Sequence, residues 1–155
     1  MQTIEGHLTA PSGRFVIVAA RFNEIIVARL ILGATDALRR LGVAEDQVQL
    51  VRAPGAHEIP LVCKWVIESL NPSAIIALGC VVRGDTYHFE VVAGQSASGI
   101  AALSIATGVP IINGILTTNS LDQAFARAGG HGGDKGADAA FAALEMVNLR
   151  AGIRA

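Results

Sequence analysis

The chain has 155 residues, which is enough for one domain with a sizeable hydrophobic core. Its formal net charge of −1 provides no basic excess, so no nucleic acid partner is expected. Hydrophobic residues make up 52% of the chain and charged residues only 16%, a composition that predicts burial of much surface against other copies.

The start of the chain and its cysteines bear on the cellular compartment. The first twenty residues lack the charged start and apolar core of a signal peptide, and no uncharged apolar run reaches membrane-spanning length. Cys63 and Cys80 each lie in an apolar segment without a CxxC partner, which is typical of buried, reduced thiols. We therefore expect a cytoplasmic protein that contacts no membrane.

Two apolar stretches in the first part of the chain predict strands, each followed by a helix. Residues 14–21 (RFVIVAAR) form a continuous β-branched run, typical of a strand that is covered on both faces. Asn23 is a candidate N-cap of the next helix, and Gly42 ends that helix. Residues 47–53 (QVQLVRA) predict the second strand, and residues 58–70 predict a helix that accommodates a proline in its first turn.

The alternation of strand and helix continues in the second part of the chain. Residues 74–82 (AIIALGCVV) predict the third strand, and its helix runs over residues 88–107. Residues 109–116 (VPIINGIL) predict the fourth strand. A capping-box pattern at residues 120–123 (SLDQ) then begins a short helix that ends near Gly129.

The chain closes with a glycine-rich connector, residues 129–136 (GGHGGDKG), and a last helix over residues 137–152. This order of elements predicts an α/β protein, a flavodoxin-like three-layer α/β/α sandwich with a four-stranded parallel sheet flanked by helices on both faces. We expect residues 1–155 to form a single domain. Residues 1–13 are then an N-terminal arm, either a frayed tail or a segment that pairs with a neighbouring subunit.

The predicted strands end in side chains suited to binding and catalysis. In open parallel sheets, ligands bind beyond the carboxyl ends of the strands. The stretch GCVVRGDTYHFE, residues 79–90, fits this rule because its polar residues come directly after the third predicted strand. A simpler explanation of these charged residues is that they form a loop exposed to water. His88 begins a helix, a position that favours a neutral imidazole able to act as a base. Because free N–H groups at a helix start suit an anion, the pattern predicts chemistry on a phosphorylated small molecule.

Each candidate side chain has a purely structural alternative. Phe22 is equally suited to fastening the first helix to the sheet, and Glu58 and Arg127 to complementing helix dipoles. Motifs of several other classes are missing, since GxGxxG, GxxxxGK[ST] and GxSxG do not occur and the histidines lack the spacing of metal ligands. We therefore predict no metal and no nucleotide cofactor.

Five motifs together resemble the lumazine synthase family. They are RFN, PGAHEIP, GCVVRGDTYHFE, NGILT and QAFARAG…GDKGADAA, in the family's order and with compatible spacing from about residue 12 to the last helix. The resemblance implies a transferase that condenses 5-amino-6-(D-ribitylamino)uracil with 3,4-dihydroxy-2-butanone 4-phosphate. The products would be 6,7-dimethyl-8-ribityllumazine, phosphate and water, in the penultimate step of riboflavin biosynthesis. The resemblance implies that the reaction needs no cofactor.

The resemblance also implies a role for each matching residue. His88 is the catalytic residue that moves protons. The ribitylaminouracil is bound by Phe22, which stacks on the ring, and by Ala56, His57, Glu58, Cys80, Val81 and Val82. The phosphorylated ketone is bound by Asp85, Thr86 and Arg127, with Lys135 adding positive charge nearby. Asn113 and Arg127 are contributed by the neighbouring subunit.

The family resemblance further implies a homo-oligomer with sites between subunits. The expected assembly is a homopentamer, and an icosahedral capsid of twelve pentamers stays open. Two positions depart from the family pattern. Asn113 replaces a frequent bulky aromatic, which implies a looser sandwich of the ring, and Asp138 replaces a frequent glutamate, which shortens its reach towards His88.

Two other functions keep the same fold. One is a non-catalytic shell protein that binds flavin or lumazine, and the other is an archaeal-type riboflavin synthase that dismutates lumazine. Thr86, His88 and Arg127 favour the condensation, because dismutation of lumazine requires no phosphate site.

Overall fold

The computed structural model describes residues 1–155 and contains five α-helices and six strands. In chain order the elements are β1 (Phe15–Ala20), α1 (Glu24–Arg40), β2 (Val48–Ala53), α2 (Ile59–Leu70), β3 (Ala74–Val82), α3 (His88–Thr107), β4 (Ile111–Thr118), α4 (Leu121–Arg127), β5 (Ala128–Gly130), β6 (Gly133–Asp134) and α5 (Lys135–Arg154).

The main sheet has the predicted parallel architecture. Its strand order is β2-β1-β3-β4, and every neighbouring pair is parallel. All six residues of β1 are buried, as the unbroken apolar run predicts. The strand order reverses between β1 and β3, so a ligand crevice is expected where these two strands end.

Helices cover both faces of the sheet, which confirms the three-layer sandwich. On one face, Phe15 and Ile17 belong to a core shared with α1 and α5, where Leu144 is fully buried. On the other face, Val16 belongs to a core shared with α2 and α3, where Ile100 is buried. Successive residues of β1 therefore contact opposite layers, as strand geometry requires.

The start of α5 lies very close to α1. A Cβ atom at Gly136 would be 2.0 Å from the Leu30 carbonyl oxygen, and one at Gly33 would be 2.2 Å from the Asp134 carboxylate. The Asp134 carboxylate also accepts two backbone N–H groups of the first turn of α5, at 2.9 and 3.2 Å. Both glycines are needed for this approach, which places Lys135 in the first helical position.

Three local predictions differ from the structure. The predicted connector 129–136 includes the small antiparallel hairpin β5–β6, and α5 begins at Lys135 because Asp134 caps it. The fourth strand is displaced by two residues from its predicted range. Asn23 does precede α1, but it has left-handed backbone angles (φ 58°) and its side chain makes no cap hydrogen bond.

The N-terminal arm contains neither helix nor strand and lies against its own chain. The Asn148 side chain in α5 donates hydrogen bonds to the carbonyl oxygens of His7 (2.6 Å) and Thr9 (2.9 Å). Pairing of this arm with a neighbouring subunit stays a prediction.

Helix α3 exposes an apolar surface. Only Ser96 and Ile100 of its 20 residues are buried, while Ile105 is 86% exposed. By length and composition alone, this helix is long and apolar enough to cross a membrane. The sequence contains no uncharged apolar run of membrane-spanning length, and α3 is no exception because it includes Glu90 and several small polar residues. In this fold it packs on the sheet through Ile100.

Candidate active site

All the predicted site residues except Asp85 and Thr86 line two open pockets near the carboxyl ends of the strands. The first, here called the aromatic pocket, has a volume of about 490 Å³ and is lined by Phe22, Asn23, Gly55, Ala56, His57, Glu58, Cys80, Val81, Val82, His88, Val91 and Val92. The second, here called the basic pocket, has a volume of about 400 Å³ and is lined mainly by β4 together with Arg127, Lys135, Asp138, Ala139 and Ala142. Both volumes are typical of small-molecule sites.

Phe22 provides an exposed aromatic face in the aromatic pocket. Its backbone is fixed where β1 ends, because the Phe22 N–H donates to the Pro54 carbonyl at 3.2 Å. The ring is 72% exposed and lies over Gly55, where an added Cβ would be 3.0 Å from the ring edge. An exposed ring in this position is suited to stacking on a planar ligand.

Glu58 lies close to Gly55, as Phe22 does. The short 3-10 turn Ala56–Glu58 leads into α2, and the Glu58 N–H donates to the Gly55 carbonyl at 3.3 Å. The Glu58 carboxylate is 3.0 Å from the Cβ that an alanine at position 55 would have. Gly55 thus allows the ring and the carboxylate to approach one another. A carboxylate here accepts hydrogen bonds from ligand hydroxyl groups.

The free edge of β3 completes the aromatic pocket. The pairing of β1 with β3 ends at Ala19 and Leu78, so β3 extends four residues beyond its last residue paired with β1. The Cys80 carbonyl accepts a hydrogen bond from the Asn23 side chain at 2.7 Å, on the side that β1 occupied. Because backbone groups alternate along a strand, the N–H and C=O of Val82 point to that same side. The pocket therefore contains a backbone donor and acceptor for a polar ring edge.

Cys80 contributes its backbone to this pocket, whereas its buried thiol is unreactive. Burial raises the pKa of the Cys80 thiol to about 11, so it stays protonated near neutral pH. Burial likewise raises the pKa of Cys63 to about 12, inside the layer of α2. Both cysteines are free and buried, as the sequence predicts.

His88 is the first residue of α3 and lies at the edge of the aromatic pocket. The loop before it, residues 84–87, is exposed. One side-chain hydrogen bond joins this loop to the helix, from the His88 N–H to the Thr86 hydroxyl at 3.4 Å. Asp85 and Thr86 lie in this loop and line neither pocket. The N-cap residue Tyr87 makes no side-chain hydrogen bond to α3, so apart from this long contact of His88 the first turn can offer N–H groups to an anion.

The basic pocket contains two cations in different environments. The Arg127 guanidinium, at the end of α4, donates to the Gln123 carbonyl at 3.0 Å and has no carboxylate partner. The Lys135 ammonium pairs with the Asp138 carboxylate at 2.9 Å. Arg127 is therefore the cation best able to bind an anionic ligand, since its planar fork matches phosphate geometry.

Asn113 also lies in the basic pocket, on β4. Its side-chain oxygen accepts the Ile115 N–H at 3.0 Å, which turns the amide back towards its own strand. Arg127 and Lys135 are separated from the residues of the aromatic pocket, because α4 and α5 lie on one face of the sheet and α3 lies on the other. One chain thus forms two groups of predicted site residues rather than one closed site.

Three residues near the pockets were not among the predicted site residues. Asn23 reaches Cys80 across 57 positions of sequence, Gly55 permits the approach of Phe22 and Glu58, and Arg83 joins the starts of two helices. The one local signal for Asn23 was an asparagine just after a predicted strand, because asparagine tolerates the left-handed backbone angles that such a turn requires.

The fold and the two pockets define a class: an open parallel α/β protein with pockets suited to small polar ligands at the carboxyl ends of its strands. The model of one family, 6,7-dimethyl-8-ribityllumazine synthase, matches residues 12–151, nearly the whole chain. The chain belongs to this family, as its motifs indicate. Membership places it among the enzymes of riboflavin biosynthesis.

Proposed function

We propose that the protein joins 5-amino-6-(D-ribitylamino)uracil to 3,4-dihydroxy-2-butanone 4-phosphate, giving 6,7-dimethyl-8-ribityllumazine, phosphate and water. The observation that supports this most strongly is the chemical contrast between the two pockets at the same end of the sheet. One offers an aromatic face, a carboxylate and backbone groups, and the other offers an unpaired guanidinium.

The aromatic pocket suits the ribitylaminouracil. Phe22 stacks on the pyrimidine, and the β3 edge at Cys80–Val82 pairs with the polar edge of the ring. Ala56, His57 and Glu58 bind the ribityl chain, with the Glu58 carboxylate accepting from its hydroxyl groups. Neither arginine nor lysine lines this pocket, which agrees with a substrate that carries no anionic group.

The phosphorylated ketone is bound by the opposite chemistry. Arg127 pairs with the phosphate, Lys135 adds positive charge, and the Asp85–Thr86 loop with the first N–H groups of α3 binds the rest of the molecule. Asn113 lies beside this phosphate site.

His88 transfers protons between the two substrates. The 5-amino group adds to the ketone carbon, and loss of water gives an imine. The phosphate then leaves, the ribityl-bearing nitrogen closes the ring, and a second water is lost. Each step moves a proton at nitrogen or oxygen, which an imidazole at the pocket edge can accept and return. Holding both substrates side by side supplies much of the acceleration.

The complete site forms between subunits of a homo-oligomer, with the aromatic pocket of one copy facing the basic pocket of the next. The separation of the pockets on opposite faces of the sheet supports this arrangement, and so does the exposed apolar surface of α3. A homopentamer is the assembly we propose, with a capsid of pentamers as its larger form. The location we propose is the cytoplasm.

A direct assay tests the function. Purified protein is mixed with both substrates while lumazine absorbance and phosphate release are followed together. We expect both signals to rise in equal amounts above the uncatalysed background. Conversion of lumazine to riboflavin without phosphate release would favour the riboflavin synthase alternative. Binding of lumazine without any turnover would favour a shell protein.

A further inference from the structure

Arg83 makes more side-chain contacts than any function proposed above requires. Its Nε–H donates to the Asn119 side-chain oxygen at 2.9 Å, and a terminal N–H of its guanidinium donates to the Glu90 carboxylate. The guanidinium also lies over the Phe89 ring, 4.2 Å from its centroid. Its own backbone N–H donates to the Thr118 carbonyl at 2.9 Å, which fixes the residue to the end of β4.

The start of α3 is only partly buried, although the helix also packs against the Ala56–Glu58 turn. The first buried residue of the helix is Ser96, two turns after His88. Between them, Val92 packs against the core at partial exposure. The loop at 84–87 is exposed and has one long hydrogen bond within it. Phe89 and Glu90, the two residues that follow His88, are the ones that Arg83 contacts.

The other end of this set of contacts is the start of α4. Asn119 directly follows β4, and its backbone N–H donates to the Gln123 side chain at 2.9 Å. Ser120 caps the same helix by accepting the Gln123 N–H at 3.2 Å. Arg127 is the last residue of α4. One guanidinium therefore joins the segment that bears His88 to the segment that leads to Arg127.

We propose that Arg83 is a positioning residue that fixes the start of α3, and with it His88 and the Asp85–Thr86 loop, relative to the end of β4. Its fork serves two directions at once, towards Asn119 and towards Glu90, which a lysine ammonium cannot do in the same geometry. The pKa of Glu90 is held below its usual range by the hydrogen bond from Arg83, so this pair is charged at neutral pH.

The effect on catalysis rests on the proposed function. Removing the guanidinium releases the segment that binds the phosphorylated ketone and bears the proton-transfer residue. It leaves in place the groups of the aromatic pocket that contact the ribitylaminouracil in the proposed function, namely Phe22, the Ala56–Glu58 turn and the β3 edge, since none of these lies on α3. Because a misplacement of about 1 Å can reduce a rate by about a hundredfold, we expect a loss of about tenfold for a segment that becomes mobile while staying attached.

The test compares Arg83→Gln, Arg83→Lys and Asn119→Ala with the control Arg39→Gln, which breaks an exposed ion pair with Asp36 on α1. Asn119→Ala removes one of the two links and keeps the backbone contact to Gln123. For each protein, kcat and the KM for each substrate are measured. Amide hydrogen exchange is followed over residues 84–92.

The expected result is a split between the substrates. Arg83→Gln lowers kcat about tenfold and raises the KM for the phosphorylated ketone about tenfold, while the KM for the ribitylaminouracil stays within about twofold. Arg83→Lys recovers part of the loss, Asn119→Ala shows a smaller loss, and Arg39→Gln matches the wild type. Amide hydrogen exchange over residues 84–92 becomes faster in Arg83→Gln and keeps the wild-type rate in Arg39→Gln.

Two results would overturn the assignment. One is wild-type exchange over residues 84–92 in Arg83→Gln, which decides the matter even if the wild-type protein forms no lumazine. The other is a fall in kcat with both KM values unchanged that disappears when the rate is expressed per folded subunit, since the loss then reflects only a smaller folded fraction. Absence of product from the wild type would refute the proposed function instead.

Discussion

The aromatic and basic pockets are built at the same end of one sheet, yet they differ in almost every chemical property. The aromatic pocket is formed where β1, β2 and β3 end, and neither arginine nor lysine lines it. The basic pocket is formed on the edge strand β4 with α4 and α5, and both Arg127 and Lys135 line it. Backbone groups recognise the shape of a neutral polar ring, whereas a guanidinium recognises charge.

This difference explains why two substrates require two regions. A site rich in cations would gain nothing from a neutral pyrimidine, and a hydrophobic site would hold a phosphate poorly because burying an unpaired charge is costly. Substitutions in one pocket should therefore affect one substrate only, and the predictions below test that separation from the largest expected effect to the smallest.

His88→Ala should give the largest loss, because His88 acts on both substrates at once. We expect kcat to fall by about a hundredfold, the lower end for general acid–base catalysis, since proximity retains part of the rate. Steady-state assays across pH would check this. A variant with wild-type kcat would remove His88 from the chemistry.

Arg127→Ala should act on the phosphorylated ketone alone. Loss of one charge-assisted contact to a charged ligand costs about 1.5–3 kcal/mol, which raises the KM for that substrate by about tenfold or more. The KM for the ribitylaminouracil is the internal control and should not change. An equal rise in both KM values would mean that the two pockets are not separate.

Phe22→Ala should raise the KM for the ribitylaminouracil and leave the KM for the phosphorylated ketone unchanged. Removing the stacking face should cost about 1 kcal/mol and raise the KM for the ribitylaminouracil by roughly fivefold. Phe22→Leu is the matched control, because it keeps apolar bulk without the flat ring. If leucine restored full affinity, burial rather than stacking would explain the role of Phe22.

Lys135→Gln should have the smallest effect. Its ammonium already pairs with Asp138, so its charge is partly neutralised before any ligand binds. We expect the KM for the phosphorylated ketone to rise by less than about fivefold. Comparison with Arg127→Ala in the same assay tests this ranking, and a larger loss for Lys135→Gln would reverse the assignment of the main phosphate ligand.

Periodicity predicted the sheet well because its strands are buried on both faces. The unbroken run from Phe15 to Ala20 admits few alternatives, and β3 and α3 begin and end where their patterns predict. The connector was mispredicted because its glycines signal a loop, whereas Asp134 caps α5 and brings Lys135 into the helix.

The contacts around the pockets could not be predicted in the same way. The hydrogen bond from Asn23 to Cys80 joins residues 57 positions apart, and the links from Arg83 to Asn119 and Glu90 depend on the relative positions of β4 and α3. Sequence patterns report local geometry, and these contacts arise only when distant segments meet. The pattern likewise gave no sign that Asn113 bends back to its own strand.

The most direct test of the central claim is to combine two impaired variants, assayed at a concentration of the phosphorylated ketone well below its wild-type KM, where both variants are slow. Co-assembled His88→Ala and Arg127→Ala subunits each keep the pocket that the other lacks. If each site joins the aromatic pocket of one subunit to the basic pocket of the next, roughly a quarter of the sites in an equal mixture regain both intact halves, and activity returns to about that level. Activity no higher than the average of the two separate variants would contradict a site shared between subunits.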